Sequence, residues 1–300
     1  MSESQSPAQS LLSLARRGMD TVQRTLPLAN SAIAKLPFLQ RLVAEHASPF
    51  GTDVSSGQGG AQRERRPMRT SFPGDPRDAF IERVASGLTF VDVGGLWGTV
   101  NEKVSVASRH GASAVTMSDI CPLDHQLWAD FDAHITKLGV KNVGRMSGDI
   151  QQLAEQPNPP QFDVVHCSGI LYHLPNPLQL FIALRKLSRR YLILSSSVTP
   201  TRIQNHAGTL EVPQGGALYI PALSGREREI VRAHWLPHCG SAAIGITSAV
   251  DNWDPTDFSP WWWLPTAECL LAMGESTGFV CLDDGPSWGG LAHTLLLEVR

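Results

Sequence analysis

The stretch "FVDVGGLWG" holds the densest set of residues able to bind a ligand. An apolar run leads into Asp92 and then into Gly94, Gly95 and Gly98. Glycines after a strand let the chain turn tightly and bring its backbone close to a ligand. The helix that follows offers free N–H groups. The G-G-x-x-G spacing departs from the G-x-G-x-x-G of a dinucleotide site, where a pyrophosphate rests on a helix N-terminus. Asp92 would repel a pyrophosphate, whereas it suits a ligand carrying ammonium and sulfonium charges. Both features count against a nicotinamide oxidoreductase.

Further acidic and polar residues recur at the ends of apolar runs. Asp119, in "TMSDI", closes a second run about twenty residues beyond Gly98, where a carboxylate reaches ribose hydroxyls. It reads as an exposed strand-edge residue. Asp149, in "SGDIQQL", closes a third run in the same way. "FDVVHCSGILYHLPNP" sets His166, Cys167, Ser168 and Gly169 at the carboxyl edge of a fourth, which is the edge where open α/β sheets bind ligands. Tyr172 and His173 follow in a loop that should face an acceptor, and His173 is the candidate to orient it or take its proton. His166 reads as a hydrogen-bonded core histidine. Cys167 has no partner that would make it a nucleophile and reads as a buried soft residue.

"HWLPHC" offers metal-type ligands in His234, His238 and Cys239. Pro237 is expected to break any helix there, and no second ligand cluster accompanies it, so no metal is expected. Farther on, "DFSPWWWLPT" places Trp261, Trp262 and Trp263 in succession. Neither helix nor strand puts three successive side chains on one face. At least one of them should therefore leave the core and line a pocket, unless all three staple the segment to its domain.

These residues need a scaffold, and the chain provides one. It has 300 residues, of which 42% are hydrophobic and 18% charged, as expected for a packed globular domain. The formal net charge of −3 gives no general attraction to nucleic acid or anionic lipid. Five scattered cysteines without a CxxC argue for a reducing, cytoplasmic setting and against a disulfide framework. The N-terminus makes a poor signal peptide. No apolar run is long enough to span a membrane.

Residues 1–50 read as an amphipathic helical extension and 51–72 as a linker rich in Gly and Ser, then basic. From residue 73 to 300 strand-like and helix-like stretches alternate. This predicts an α/β fold with a doubly wound, mostly parallel sheet of seven strands. The rhythm breaks at 199–265, after the fifth strand. That segment reads as an insertion forming a lid or acceptor-binding element.

The motifs together resemble the class I S-adenosylmethionine-dependent methyltransferases. "VDVGGLWG" looks like their first motif, and "FDVVHCSGILYHLPNP" like their fourth. "LYHLPNP" followed by "LFIALRKL" resembles the branch that includes the tRNA wobble-uridine carboxymethyltransferases and related small-molecule methyltransferases. The likeness covers roughly 75–198. It extends more loosely through "WWWLPTAECLLAMGESTGF".

The resemblance implies a Rossmann-like methyltransferase fold with S-adenosyl-L-methionine as cofactor. It implies Asp92, Gly94, Gly95, Gly98 and Ile120 at the cofactor, Asp119 at its ribose, and Asp149 and Ile150 at its adenine. Cys167 and Ser168 complete that set. Tyr172, His173 and the three tryptophans fall on the acceptor side. Leu174, Pro175 and Asn176 stand where the carboxymethyltransferases carry basic residues, which speaks against a tRNA substrate. The expected activity is O- or N-methylation of a small molecule. The alternatives are an RNA-modifying transferase and a non-catalytic cofactor-binding protein.

Overall fold

A computed structural model describes residues 67–97, 99–239, 246 and 260–300. The extension expected over 1–50, the linker through residue 66, Gly98 and the lid residues 240–245 and 247–259 lie outside the described residues.

Helix α1 spans Pro76–Val84; Asp75 caps it by accepting from the Arg77 N–H, and Pro76 opens it. Strand β1 is Thr89–Val93, and the helix after the glycine loop, α2, is only Val104–Arg109. There follow β2 (Ala114–Asp119), α3 (Gln126–Lys137), β3 (Gly144–Ser147), α4 (Ile150–Ala154), β4 (Phe162–Ser168), α5 (Pro177–Leu187) and β5 (Ser188–Ser197). The expected insertion holds a hairpin, β6 (Arg202–Asn205) with β7 (Gly208–Glu211). After it come β8 (Ala217–Tyr219), α6 (Gly225–Cys239) and β9 (Trp263–Pro265), which pairs with β8. The chain closes with α7 (Ala267–Ser276), β10 (Phe279–Ser287) and β11 (Ala292–Val299).

Seven strands form one sheet in the order β10-β11-β5-β4-β1-β2-β3. Neighbours from β5 to β3 are parallel, and β11 runs antiparallel to both β5 and β10. The chain winds outward from β1 in one direction through β2 and β3, and in the other through β4 and β5. The reversal between β1 and β4 makes the switch point where such sheets bind ligands.

The central strands are apolar on both faces because helices cover both. On one face Val91, Val165, Leu192 and Leu194 pack under α5 and α7. On the other Phe90, Val164, Ile193 and Leu296 pack under α1, α2 and α3. A third core, built on Trp235, Trp261, Leu264 and Ile203 of the inserted segment, takes in Tyr172 and Leu291 from outside it.

One expectation is corrected here. Pro237 does not break its helix, and α6 continues through it to Cys239. Proline removes one backbone donor and crowds the preceding turn. Near a helix end the neighbouring turns tolerate that loss.

Candidate functional site

The carboxyl ends of β1, β2 and β4 converge on the switch point. Gly94 follows β1 with φ +79°, a left-handed conformation that glycine adopts without strain. Its N–H donates to the Ser118 carbonyl of β2. A Cβ on Gly94 would stand 2.4 Å from Ile170 Cδ1, in the loop after β4. A Cβ on Gly95 would stand 2.7 Å from both Asp92 Oδ2 and Met117 Cε. The backbone turn therefore lies directly against the β4 loop and the β2 strand, and a side chain at either position would displace its neighbours.

Asp92 lies beneath this turn and is 2% exposed. Its Oδ1 meets His166 Nδ1 at 2.7 Å, across the β1–β4 pairing of the two residues. Its Oδ2 accepts from the Lys103 N–H at 2.8 Å, at the start of α2. One carboxylate thus ties together β1, β4 and the helix after the loop. Phe90 stacks on the His166 ring.

Asp119 is 4% exposed, not an exposed edge residue as the sequence suggested. The loops that follow β1 and β2 fold over it. Its Oδ2 accepts from the Leu96 N–H at 3.4 Å and its Oδ1 from the Cys121 N–H at 3.1 Å. Burial and then the neighbouring Asp119 push the Cys121 thiol up to about 11. Two backbone donors leave an ionised carboxylate with further acceptor capacity. Ile120, next in the chain, is an exposed large apolar residue, as are Trp97 and Leu123. Three apolar side chains at the rim of β1 and β2 can cover a flat, apolar ring face.

Asp149 caps α4, its Oδ1 accepting from the Gln151 N–H at 2.8 Å, and Ile150 is buried in the core. Cys167 points into the same core, where burial and then Asp92 raise its pKa far above the ordinary thiol value. A neutral core thiol leaves only its main chain for a ligand. Ser168 stands at the edge, its Oγ accepting from Arg77 Nη1 at 3.3 Å. Arg77 carries no signal in the sequence, because α1 brings it to β4 from far along the chain. Its guanidinium also pairs with Asp75 at 2.6 Å.

The loop after β4 packs against the inserted segment. Tyr172 is buried, its ring 4.9 Å from that of Trp261 and its carbonyl accepting from the Trp262 N–H at 2.7 Å. Trp261 also packs edge-on against Trp235 at 4.9 Å. Trp263 donates its Nε1–H to the Pro175 carbonyl and lies against Tyr219 across the β8–β9 pair. His173 Nδ1 is 3.2 Å from the Pro260 carbonyl. A carbonyl only accepts, so Nδ1 carries the hydrogen and Nε2 is the basic atom of the neutral ring. Trp261 is thus lid core and Trp263 a half-buried clasp on the β4 loop. Trp262, also half-buried, lies between them in the chain.

His234 and His238 lie with ring centroids 6.5 Å apart on α6. Burial, and then His238, lower the His234 pKa. Among the described residues no three His, Cys, Asp or Glu side chains group as a metal site would. Nor is any described helix long and apolar enough to cross a membrane.

The strand order, with one antiparallel strand inserted next to β5, is that of the class I S-adenosylmethionine-dependent methyltransferases, and the chain has their fold. No protein-family model matches it, and no curated protein does. Solved structures similar to it include magnesium protoporphyrin IX methyltransferase from Synechocystis PCC 6803 with bound SAH, at 15% identity and a TM-score of 0.46, covering 75% of this chain and 82% of that one. Another is an S-adenosylmethionine-dependent methyltransferase from Mesorhizobium loti, at 15% identity and a TM-score of 0.44, covering 73% and 95%. A third is the mitomycin 7-O-methyltransferase MmcR, at 12% and 0.45, covering 74% of this chain and 54% of that one. Similarity at this level identifies neither an acceptor nor a reaction.

Proposed function

We propose that this chain is an S-adenosyl-L-methionine-dependent methyltransferase that methylates oxygen or nitrogen of a small-molecule acceptor by direct in-line transfer. One observation carries the reading. At the switch point a positive-φ glycine turn after β1 lies beside the buried carboxylate of Asp119 at the tip of β2. The turn offers backbone, and the carboxylate offers acceptors for vicinal hydroxyls, as a nucleoside with a short charged tail requires.

The cofactor when bound supplies an electrophilic methyl group on sulfur. Gly94, Gly95 and Gly98 let the backbone approach its amino-acid portion. Asp92 acts from beneath, holding the loop through His166 and Lys103. Asp119 accepts from the ribose hydroxyls, Ile120 covers the adenine with Ile150 and Asp149 at its far side, and Ser168 and the Cys167 main chain close the β4 edge. Tyr172, His173 and the tryptophans border the acceptor. There they exclude water and align the nucleophile, which is most of what in-line transfer asks of a protein. His173, which meets the Pro260 carbonyl through Nδ1, is the residue placed to orient the acceptor or take its proton.

The test is calorimetric titration of the full chain with S-adenosylhomocysteine, followed by transfer of labelled methyl groups to a metabolite collection. Micromolar-range binding and labelling of a small molecule are expected. Absence of binding would end the proposal. Binding without transfer to any acceptor would favour a non-catalytic role.

A further inference from the structure

Among the described residues three buried serine hydroxyls have no hydrogen-bond partner: Ser118 Oγ lies on β2 beside the glycine turn, and the other two share the opposite end of the sheet's carboxyl edge, Ser197 Oγ on β5 and Ser287 Oγ on β10. Ser197 and Ser287 are 2% and 9% exposed. An orphaned hydroxyl in a folded protein calls for an explanation, such as a ligand or water the site is built to hold.

Strand alternation fixes the face on which they lie. Val164, Ile193 and Leu296 belong to the core under α1. Residues two apart share a face, so Ser168, Ser195, Ser197, Ala292 and Thr294 point the same way. Cross-strand partners share a face as well: Ser168 pairs with Ser195, Ser195 with Thr294, Ser197 with Ala292, and Ala292 with Ser287. An inner row, Ser168–Ser195–Thr294, is satisfied, with Thr294 Oγ1 donating to Ser195 Oγ at 3.0 Å and Arg77 to Ser168. The outer row, Ser197–Ala292–Ser287, is not. It is a small floor, the Ala292 methyl, between two unpartnered hydroxyls.

Arg77 crosses this corner. Its Nη1 reaches Ser168 on β4, and its guanidinium lies 5.9 Å from the ring of Trp288, the residue after Ser287. Asp75 engages its Nε and Nη2, so Nη1 is the face left for a further acceptor. Lys103 also reaches Asp75, at 3.4 Å, while its other partner, Asp78, is half exposed to solvent. Two cations and two carboxylates thus meet at this corner, and Arg77 Nη1 is the part of the guanidinium that Asp75 does not engage.

Resting on the methyltransferase reading, we propose that the Ser197–Ala292–Ser287 floor and Arg77 form a subsite for a carboxylate of the acceptor. Two hydroxyls donate to its oxygens and Arg77 Nη1 adds a charge-assisted hydrogen bond. The subsite belongs to the acceptor because of its place in the sheet. The nucleoside end lies at β1 and β2, on the far side of β4. β11 is two strand spacings beyond β4, roughly 10 Å. The acceptor is therefore an acid whose carboxylate stands two strand spacings, roughly 10 Å, from the β4 edge.

The full chain, with and without saturating S-adenosylhomocysteine, is titrated calorimetrically with 4-hydroxycinnamate and with its amide, 4-hydroxycinnamamide. This probe spans about the required distance between phenol and carboxylate. The acid should bind roughly 10-fold more tightly than the amide, the scale of a charge-assisted hydrogen bond. The Ser197→Ala/Ser287→Ala variant should bind both equally, with S-adenosylhomocysteine affinity unchanged. Its melting temperature without ligand should stay level or rise, because two unsatisfied buried hydroxyls are gone. Equal binding of acid and amide to the wild type overturns the proposal, as does failure to bind either. Loss of cofactor affinity in the serine variant reassigns the pit to the cofactor and also overturns it. So does a fall in melting temperature with the acid preference intact, which would make the serines packing residues. If the wild type binds no S-adenosylhomocysteine, the methyltransferase reading falls, while the acid-over-amide difference without cofactor still decides the subsite.

Discussion

His166 Nδ1 stands 2.7 Å from Asp92 Oδ1, with both side chains almost wholly removed from water. The pair joins the two strands that flank the switch point, and through Asp92 Oδ2 it also anchors α2. His166→Phe keeps the ring volume and the stack on Phe90 but leaves Asp92 with one buried oxygen unmatched. Leaving a buried acceptor without its donor costs about 1–3 kcal/mol. Urea denaturation should show a loss of that order. Restoring a donor with His166→Gln should recover part of it.

Gly94→Ala should lower cofactor affinity severely and cost about 1–2 kcal/mol of stability through its left-handed backbone. The added methyl also meets Ile170 Cδ1. Combining it with Ile170→Ala relieves the clash and leaves the dihedral penalty. The double variant should therefore regain only part of the stability, as read from melting curves. Full recovery would show that sterics alone, and not φ, require glycine here.

Asp119→Ala should weaken S-adenosylhomocysteine binding by roughly 1.5–3 kcal/mol, the scale of hydrogen bonds to a charged group. It should also destabilise the fold, since the Leu96 and Cys121 N–H groups lose their acceptor. Asp119→Asn keeps one acceptor oxygen and should cost less stability while still losing affinity. Calorimetry and melting temperature on both variants separate the two roles. Unchanged affinity in both would make Asp119 a purely structural residue.

The tryptophans should divide by position. Trp261→Ala removes a ring packed on Trp235 and Tyr172 and should cost about 3–5 kcal/mol, as for a large buried aromatic. Trp263→Ala should cost less, since that ring is only half-buried. Trp262→Ala should barely change the melting temperature. If Trp262 borders the acceptor, single-turnover methyl transfer by this variant should fall far more than its cofactor affinity. A rate unchanged in all three folded variants would reduce the cluster to packing.

Acid should loosen the corner at the start of α1. Burial of Asp75 opposes its ionisation. The Arg77 hydrogen bonds and charge, with that of Lys103, outweigh this and hold its carboxyl at about 2, against an ordinary 3.8. A carboxyl depressed on folding adds stability above its unfolded pKa, and that contribution is lost as pH falls through the folded one. The window is therefore pH 4 down to pH 2, with at most about 2 kcal/mol at stake. Asp75→Asn should be less stable at pH 6, and its stability should fall less steeply over that window. Parallel curves for variant and wild type would exclude the linkage.

Much of this protein can be read from the order of its residues. Apolar β-runs punctuated by Asp92–Gly94, Asp119, Asp149 and Ser168 predict a parallel sheet with its polar residues at one edge. Strand and helix periodicities are local, and so are the turn requirements of glycine, so a linear sequence displays them. Closure of the final strand pair and the lid's place after β5 follow from the same rhythm. What the sequence could not display is which side chains meet. Asp92 reads as a ligand contact, but the sequence does not show that β4 brings His166 beside it and α2 the Lys103 N–H. Asp119 reads as exposed until two loops fold over it. Arg77 carries no signal at all, because its partner Ser168 is 91 residues away. The three adjacent tryptophans pose a question that only packing answers: the described lid residues form a core that takes in Trp261, while Trp262 and Trp263 stay partly exposed. Contacts between distant segments depend on how helices and strands stack, and that stacking is a property of the folded chain rather than of any local run of residues.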